Sequence, residues 1–233
     1  TGRVLEMRPG IDQIGLLRSE NIVRLAGLEQ EFGGRGLTAM TRMQPAIPIK
    51  VADRIAAWRA PLEQHQLRLK ERSARLLVVQ FGGAAGTLDQ LGDKAEAVRA
   101  ALAARVGLDD APQWHSQRGA LADFAGWLSL VTGSLGKFGQ DIALMAQAGI
   151  VIELSGGGGS SAMPHKQNPV KAEALVALAR FNATQLSGMH QALVHEQERS
   201  GAAWTLEWLL LPQMVVATAT SLRLAAELAG QVE

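Results

Sequence analysis

The sequence predicts an all-α protein, an elongated bundle of about five long helices. Two apolar patterns and the lack of a strand pattern support this prediction. The first pattern alternates steps of three and four, which places its residues on one stripe of a helix of about eight turns. Its members are Leu121, Phe124, Leu128, Val131, Leu135, Phe138, Ile142 and Met145. The second pattern repeats in steps that sum to sevens between Val51 and Leu76. No alternation with a period of two is long enough to predict a strand.

The remaining helices follow from similar patterns and their end signals. In the first forty residues, a helical pattern ends at the two glycines at 33–34, which are typical helix terminators. Pro61 is expected to kink the second helix, and Pro212 the last one. The predicted helices, one of them short, cover residues 14–32, 51–76, 94–108, 118–149, 171–195 and 202–228.

Gly119, Gly126 and Gly133 lie seven apart on the most regular helix. Each glycine costs roughly 1 kcal/mol relative to alanine in a helix interior, so we expect them to admit the backbone of a neighbouring helix. The alternative is that they are neutral surface positions. Alanine-rich faces such as "ALVALARFNA" expose more apolar surface than one chain covers, which favours a homo-oligomer.

Composition excludes several classes of function. The 23 Lys and Arg residues against 22 Asp and Glu leave a net charge of +1, so no basic field attracts nucleic acid or a membrane surface. The absence of cysteine excludes disulfides and thiolate chemistry. The N-terminal "TGRVLEMRPG" is too charged for a signal peptide, and the most apolar stretch, "LEWLLLPQMVVATATSL", is interpreted as too short to span a bilayer. We therefore expect a cytoplasmic protein.

The segment "SGGGGSSAMPHKQNPVKAE", residues 155–173, interrupts the helical pattern. Its glycines can turn successive N–H groups toward an anion, and the next helix adds the positive end of its dipole. Such donors suit a carboxylate whose neighbouring carbon exchanges a proton, because negative charge then spreads onto the carboxylate. A phosphate-binding loop is disfavoured because the G-x-x-x-x-G-K-[ST] order and a preceding strand are missing. A mobile linker with incidental polarity is the remaining alternative.

Within this segment, "GSSAMPHKQNP" at 159–169 resembles the signature of the fumarase/aspartase superfamily. The resemblance implies a homotetramer whose central domains pool their helices, with each active site built from loops of three subunits. It also implies that residues 1–233 form the central helical-bundle domain, and that the family's N-terminal and C-terminal domains are not in this sequence.

The resemblance assigns roles within the signature. Ser160 is the implied proton-transferring residue, and Lys166 with the loop N–H groups would favour its alkoxide. Lys166 and Asn168 match positions that hold a substrate carboxylate. The other predicted contacts of the signature are Ser161 and Met163.

A second family motif usually reads T-H-x-Q, and here it reads Thr41, Arg42, Met43, Gln44. Arginine stays protonated and cannot shuttle a proton, so we expect Arg42 and Gln44 to bind carboxylate or orient the loop. Glu173 is expected either to pair with Arg42 or to be a solvated residue of the first helical turn.

Histidine and arginine also occur together in "QWHSQR" and "HEQERS". We expect His115 to act as a donor or acid near pH 7, and Arg118 to bind substrate; the alternative is a capping cluster led by Ser116. His195 and Arg199 line the site or form a solvated turn. His65 is interpreted as a packing residue, and Trp204 and Trp208 as bundle core.

Longer segments, including "VQFGGAAGTLDQLGD", resemble the cycloisomerase branch of the superfamily, over nearly the whole chain. This implies an intramolecular lyase in which a carboxylate of a carboxylated muconate adds to its own conjugated double bond and closes a lactone. A polycarboxylate substrate and no metal or organic cofactor are implied. Two alternatives stay open: a lyase like adenylosuccinate or argininosuccinate lyase that releases fumarate, and a non-catalytic assembly fragment.

Overall fold

The computed structural model describes residues 1–149, 158–159 and 167–232 and confirms the all-α bundle. The helices are α1 (Gly2–Phe32), α2 (Val51–Leu76), α3 (Ala95–Val106), α4 (Gly119–Gln147), α5 (Val170–Gln191) and α6 (Gly201–Ala229). The strands are β1 (Gly36–Thr41), β2 (Gln44–Lys50), β3 (Gly158–Gly159) and β4 (Gln167–Asn168). Five of these helices are long, as predicted, and α3 is the short one. The helix α1 begins at Gly2, twelve residues before the predicted start.

The helix α4 lies at the centre and packs against α2, α5 and α6. Its predicted stripe is confirmed, since residues from Leu121 to Ile142 along it are almost completely buried and Met145 packs partly against the core. The stripe of α2 is also buried, including Ile55 and Trp58. These two stripes, with the inner faces of α1, α5 and α6, form one continuous apolar core.

Close packing of α4 on α5 depends on glycines other than the predicted ones. A Cβ at Gly139 would lie 2.6 Å from the Ala172 carbonyl oxygen, and one at Gly136 would lie 2.7 Å from the Ala179 Cβ. A Cβ at Gly126 would meet nothing within 4 Å, and the same holds for the other two glycines of the sevenfold spacing. The predicted close approach at that spacing is therefore wrong within the chain. The spacing marks an outer face of α4.

A β-hairpin joins α1 to α2, although no strand was predicted there. β1 and β2 pair antiparallel around a turn at Arg42 and Met43, whose φ angles of 50° and 63° suit a tight hairpin turn. Most of its residues are exposed, and β2 contains two prolines, so the sequence lacks an apolar alternation. Proline is tolerated because a two-stranded ribbon has free edges.

The last helix, α6, confirms the predicted span of 202–228, but it is longer than the apolar stretch that was interpreted as too short to span a bilayer. It continues through Pro212 for 29 residues, and by length and composition it is the one helix of the described residues that could cross a membrane. Its buried face includes Glu207, Thr218 and Ser221, which pack inside the bundle. That pattern is typical of a core helix of a bundle.

The two glycine environments predict opposite effects of the same substitution. Gly139→Ala should lower the free energy of unfolding by about 1–3 kcal/mol, because the new methyl group overlaps a backbone carbonyl of α5. Gly126→Ala is the matched control and should raise it by roughly 0.5–1 kcal/mol, because the space is open. Urea denaturation of both variants measures this difference. Equal effects at the two positions would contradict the assigned packing.

His65 predicts a pH-dependent stability. It is buried against α4, where its Nε2 lies 2.9 Å from the Ser134 Oγ, as expected for a packing residue. Burial, and then the charge of Arg68, lower the pKa of His65 from 6.5 to about 4. Between these values the unfolded chain binds a proton that the folded chain does not, so stability falls as the pH falls from 6.5 toward 4.

At pH 4.5 this loss amounts to about 2–3 kcal/mol. Urea unfolding at pH 7 and pH 4.5 should therefore show a steeper loss for the wild type than for His65→Gln. His190→Gln removes an exposed histidine and should behave like the wild type. If His65→Gln also followed the wild-type pH dependence, the buried neutral histidine would not be its source.

Candidate active site

A cavity of about 420 Å³ opens at the end of the bundle where α4 and α6 begin. The first turns of α1 and the loops before α4 and α6 complete its wall. The lining side chains that carry charge or aromatic rings are Arg3, Glu6, Trp114, His115, Arg118, His195, Arg199, Trp204 and Trp208. Four of the sequence-predicted site residues therefore lie together here: His115, Arg118, His195 and Arg199.

A buried ion pair anchors the floor of this cavity. The Arg118 Nε and Nη2 each donate to a carboxylate oxygen of Glu207 at 2.7 Å, and the two side chains are 8% and 1% exposed. The same guanidinium lies 4.6 Å from the centre of the Trp114 ring. The charge of Arg118 is thus already balanced by Glu207, so this arginine shapes the wall more than it attracts an anion. Glu207 was not predicted, because its partner is 89 residues away in the sequence.

The structure does not show the alternative arrangement, in which Ser116 leads a capping cluster at the start of α4. The N-cap residue of α4 is Arg118, and its side chain makes no capping hydrogen bond. The backbone before α4 is held instead through Trp114, whose N–H donates to the Gln80 Oε1 and whose indole Nε1 donates to the Val79 carbonyl. The loop that carries His115 is therefore tied to the segment that follows α2.

His115 and Arg199 are in direct contact across the cavity mouth. The Arg199 Nη2 lies 3.0 Å from the His115 Nε2 and also donates to the Gly83 carbonyl at 3.1 Å. Burial lowers the pKa of His115, and the charges of Arg199 and Arg118 lower it further. The imidazole is therefore neutral at pH 7, which favours a hydrogen-bonding role over the predicted role as an acid.

Glycines beneath His115 allow this arrangement. A Cβ at Gly82 would lie 2.8 Å from the Gln113 Cβ and 3.1 Å from the His115 Cε1. Gly86 has a φ of +95°, and a Cβ there would lie 2.7 Å from the Gln113 side chain. The motif "QFGGAAGT" was part of a segment that carried the family resemblance, but none of its residues was predicted as a site residue. Its glycine spacing was the signal that another loop approaches it closely.

His195, half-buried in the loop before α6, lines the same cavity. Its Nδ1 lies 3.4 Å from the Ser200 N–H, and its Nε2 is buried with no hydrogen-bond partner in the described part of the chain. Ser200 in turn caps α6 by accepting from the Ala203 N–H at 3.1 Å. The cap therefore orients the histidine.

Trp204 and Trp208 do not lie in the core, so that prediction is wrong. They are 43% and 53% exposed, and their rings meet edge to face at 5.0 Å on the cavity side of α6. Arg3 lies 4.8 Å from the centre of the Trp208 ring. Sequence reasoning missed Arg3 as well, because no motif surrounds it.

The other predicted residues that the structure describes, Arg42, Gln44, Asn168 and Glu173, lie toward the opposite end of the bundle. Arg42 is at the hairpin turn and lines a second, open cavity of about 640 Å³ with Arg54 and Lys137. Gln44 begins β2 beside the turn, opposite Thr41. The C-terminal half of α4 forms the rest of this wall, so the cavity lies where α4 ends.

Asn168 and Glu173 flank the start of α5 at this same end. Asn168 belongs to β4, which pairs with β3 in the register Gly158 to Asn168. Glu173 is exposed and makes no ion pair with Arg42, so the solvated alternative holds within one chain. Ser160, Ser161, Met163 and Lys166 lie outside the described residues. The short pairing of β3 with β4 flanks them in the sequence.

The length of α4 separates the two clusters. Its 29 residues, at a rise of 1.5 Å per residue, span about 43 Å. One small molecule therefore cannot contact both clusters within a single copy of the chain. Among the described residues, no group of three His, Cys, Asp or Glu side chains could hold a metal ion.

Comparison with known proteins identifies the class. The model of the lyase family matches residues 30–188, more than half of the chain, so the protein belongs to this family of the fumarase/aspartase superfamily. A 3-carboxy-cis,cis-muconate cycloisomerase of Pseudomonas aeruginosa is 40% identical, and the match covers 100% of this chain and 52% of that protein. The resemblance predicted from the signature is thus confirmed.

Solved structures agree with this assignment. The 3-carboxy-cis,cis-muconate lactonizing enzyme of Pseudomonas putida superimposes with a TM-score of 0.93 at 37% identity, covering 100% of this chain and 52% of that one. A fumarate lyase of Mesorhizobium sp. BNC1 superimposes with a TM-score of 0.91 at 31% identity, covering 99% and 52%. The chain therefore spans about half the length of the relatives that it matches.

Proposed function

We propose that this chain is the central helical domain of a 3-carboxy-cis,cis-muconate cycloisomerase. The observation that carries the proposal is the match over the whole chain to the lactonizing enzyme of Pseudomonas putida, with a TM-score of 0.93. In this function a carboxylate oxygen of the substrate adds to a conjugated double bond of the same molecule. The product is a carboxymuconolactone, and the enzyme belongs to cytoplasmic protocatechuate degradation.

The chemistry is balanced by a single proton. Addition of the carboxylate to the double bond places a negative charge on the carbon next to another carboxylate, and this enolate-like charge is neutralised by a proton from Ser160. Solvent then reprotonates the serine, so one carboxylate charge disappears and no other reactant is needed. Lys166 and the loop N–H groups stabilise the alkoxide and the enolate-like intermediate.

The residue at the hairpin turn fits this reaction. A guanidinium group such as that of Arg42 serves as a hydrogen-bond donor and offers no catalytic base. The nucleophile is the substrate's own ionised carboxylate, which needs no base to activate it. Arg42 and Gln44 instead hold a substrate carboxylate, together with Asn168 and Ser161 of the signature, and Met163 supplies an apolar contact to the substrate. Glu173 is exposed in the first turn of α5.

The cavity lined by His115 and Arg199 supplies further positive charge for the substrate carboxylates. Arg199 is exposed at its mouth and contacts the neutral His115, so the pair offers a charged donor and a hydrogen-bonding ring to one carboxylate. His195 has an unsatisfied ring nitrogen that can accept or donate one more hydrogen bond. Arg118 keeps the wall in place through Glu207.

Because the two clusters lie toward opposite ends of α4, a helix about 43 Å long, one active site must combine them from different copies of the chain. A homotetramer in which the helices of neighbouring subunits pack in opposite directions brings the His115 end of one copy to the Ser160 loop of another. Exposed apolar residues on outer helix faces, such as Leu16 and Val23 on α1, support this association.

One observation favours a second candidate function. The superposition on the fumarate lyase of Mesorhizobium is nearly as close as that on the lactonizing enzyme. The fold therefore also suits an enzyme that releases fumarate from a succinyl adduct. Arg42 weighs against it, because such an elimination needs a base and an acid supplied by the protein.

Turnover separates these candidates. Mixing the protein with 3-carboxy-cis,cis-muconate should remove the absorbance of the conjugated diene and take up a proton at neutral pH. Ser160→Ala should slow this reaction by about 10²–10⁴-fold, because the proton donor is lost. Ser187→Ala, an exposed serine on α5, is the matched control. Fumarate release from succinyl-nucleotide or succinyl-arginine substrates would contradict the proposal, and no turnover at all would favour a non-catalytic assembly role.

Mixing inactive variants tests the shared active site. Ser160→Ala changes the signature loop and Arg199→Ala changes the cavity at the start of α6, which the proposed assembly takes from different copies, so reassociated equimolar mixtures should regain roughly a quarter of the activity through sites with both residues intact. His115→Ala mixed with Arg199→Ala is the control. Those two residues are in contact within one chain, so no mixed site contains both. Recovery in the control, or none in the first mixture, would contradict this assembly of the site.

A further inference from the structure

Two tryptophans on α6 line the cavity and are not part of the apolar core. Trp204 and Trp208 are one helical turn apart and share a face of the helix. They are about half exposed, whereas Trp58 and Trp127 are buried in the core. Exposing such large apolar rings is unfavourable, so folding alone does not account for them.

The rings are held in a defined arrangement. Trp204 and Trp208 meet edge to face at 5.0 Å with an interplanar angle of 67°, and Arg3 lies 4.8 Å from the Trp208 ring centre. Both the aromatic pair and the stacked guanidinium are favourable geometries. One wall of the cavity is therefore an ordered π surface.

The same cavity carries an excess of positive charge. Arg118 is neutralised by Glu207, and Glu6 offsets one further cation. In the described part of the chain, neither Arg3 nor Arg199 forms a salt bridge with a carboxylate. Aromatic faces beside guanidinium groups with a net positive charge suit a ligand that is both flat and anionic.

We propose that Trp204 and Trp208 are specificity-determining residues that select a planar, conjugated polycarboxylate over a saturated one. The inference rests on the proposed function in one respect, because the conjugated diene of a carboxymuconate is such a ligand. The cations hold the carboxylates, one indole face contacts the flat carbon skeleton, and the other ring, inclined at 67°, borders the edge of that skeleton. A succinyl group has a tetrahedral skeleton that cannot stack on an indole face.

Two unreactive tricarboxylates probe the selection directly. Benzene-1,2,4-tricarboxylate is planar and conjugated, and propane-1,2,3-tricarboxylate is saturated. Calorimetric titration of the protein should show tighter binding of the planar probe. Trp208→Leu and Trp204→Leu should each lower the affinity ratio of the two probes by about three- to tenfold, because a leucine retains apolar bulk without the π face.

Two control variants make the result specific. Trp208→Phe retains an aromatic ring and should keep most of the selectivity. Leu209→Ala changes an exposed neighbour on α6 that does not line the cavity, and should leave both affinities unchanged. Substitutions of exposed residues such as these typically change stability by at most about 0.5 kcal/mol, so the variants should fold.

Several results would overturn the inference. Equal weakening of both probes by the leucine variants would show that the tryptophans provide no selection. A changed oligomeric state with unchanged selectivity would assign them to a subunit contact. Failure of both probes to bind would show that the cavity is not an anion site.

The failure of this inference can be distinguished from that of the proposed function. If the protein catalyses lactonisation but Trp204→Leu and Trp208→Leu leave the probe selectivity unchanged, the proposed function holds and the inference is wrong. Selective binding of the planar probe without lactonisation would support the inference and contradict the proposed function.

Discussion

The burial of α4 is the constraint on which the rest of the structure depends. One stripe of this helix packs against α2, α5 and α6, so it must remain a continuous rod through the centre of the bundle. The close approach of α5 is possible because Gly136 and Gly139 lack a Cβ. The neighbouring helices then bring their own ends to the ends of α4, and the described loops that carry candidate site residues lie at one end or the other.

The His115 end is organised by contacts that cross long stretches of sequence. The ion pair of Arg118 with Glu207 links the start of α4 to α6, and Arg199 links the loop before α6 to the glycine loop after α2. Because these bonds restrain three segments together, the neutral ring of His115 is presented in a fixed position beside a guanidinium. Burial and positive charge keep that ring neutral, so His115 offers hydrogen bonding while Arg199 supplies the charge.

The sequence predicted features that repeat along a helix, such as buried apolar stripes, but not features that occur once, such as the hairpin. The stripes of α2 and α4 repeat over many residues, and burial follows directly from that repetition. The spacing of Gly119, Gly126 and Gly133 is just as regular, but those glycines lie on the outer face, because a period identifies a face without identifying its neighbour. The hairpin was missed because backbone pairing and a turn at Arg42 and Met43 form it without apolar alternation.

By itself, the sequence determined the all-α class, the superfamily through "GSSAMPHKQNP", and the replacement of a titratable histidine by Arg42. These are local or periodic properties, which short segments of chain carry on their own. Only the tertiary structure decided that Arg118 is neutralised by Glu207, that Trp208 faces a cavity, and that the two groups of candidate residues lie at opposite ends of the bundle. The physical reason is that charge pairing, exposure and separation depend on which helix ends meet in space, and packing between distant segments sets that.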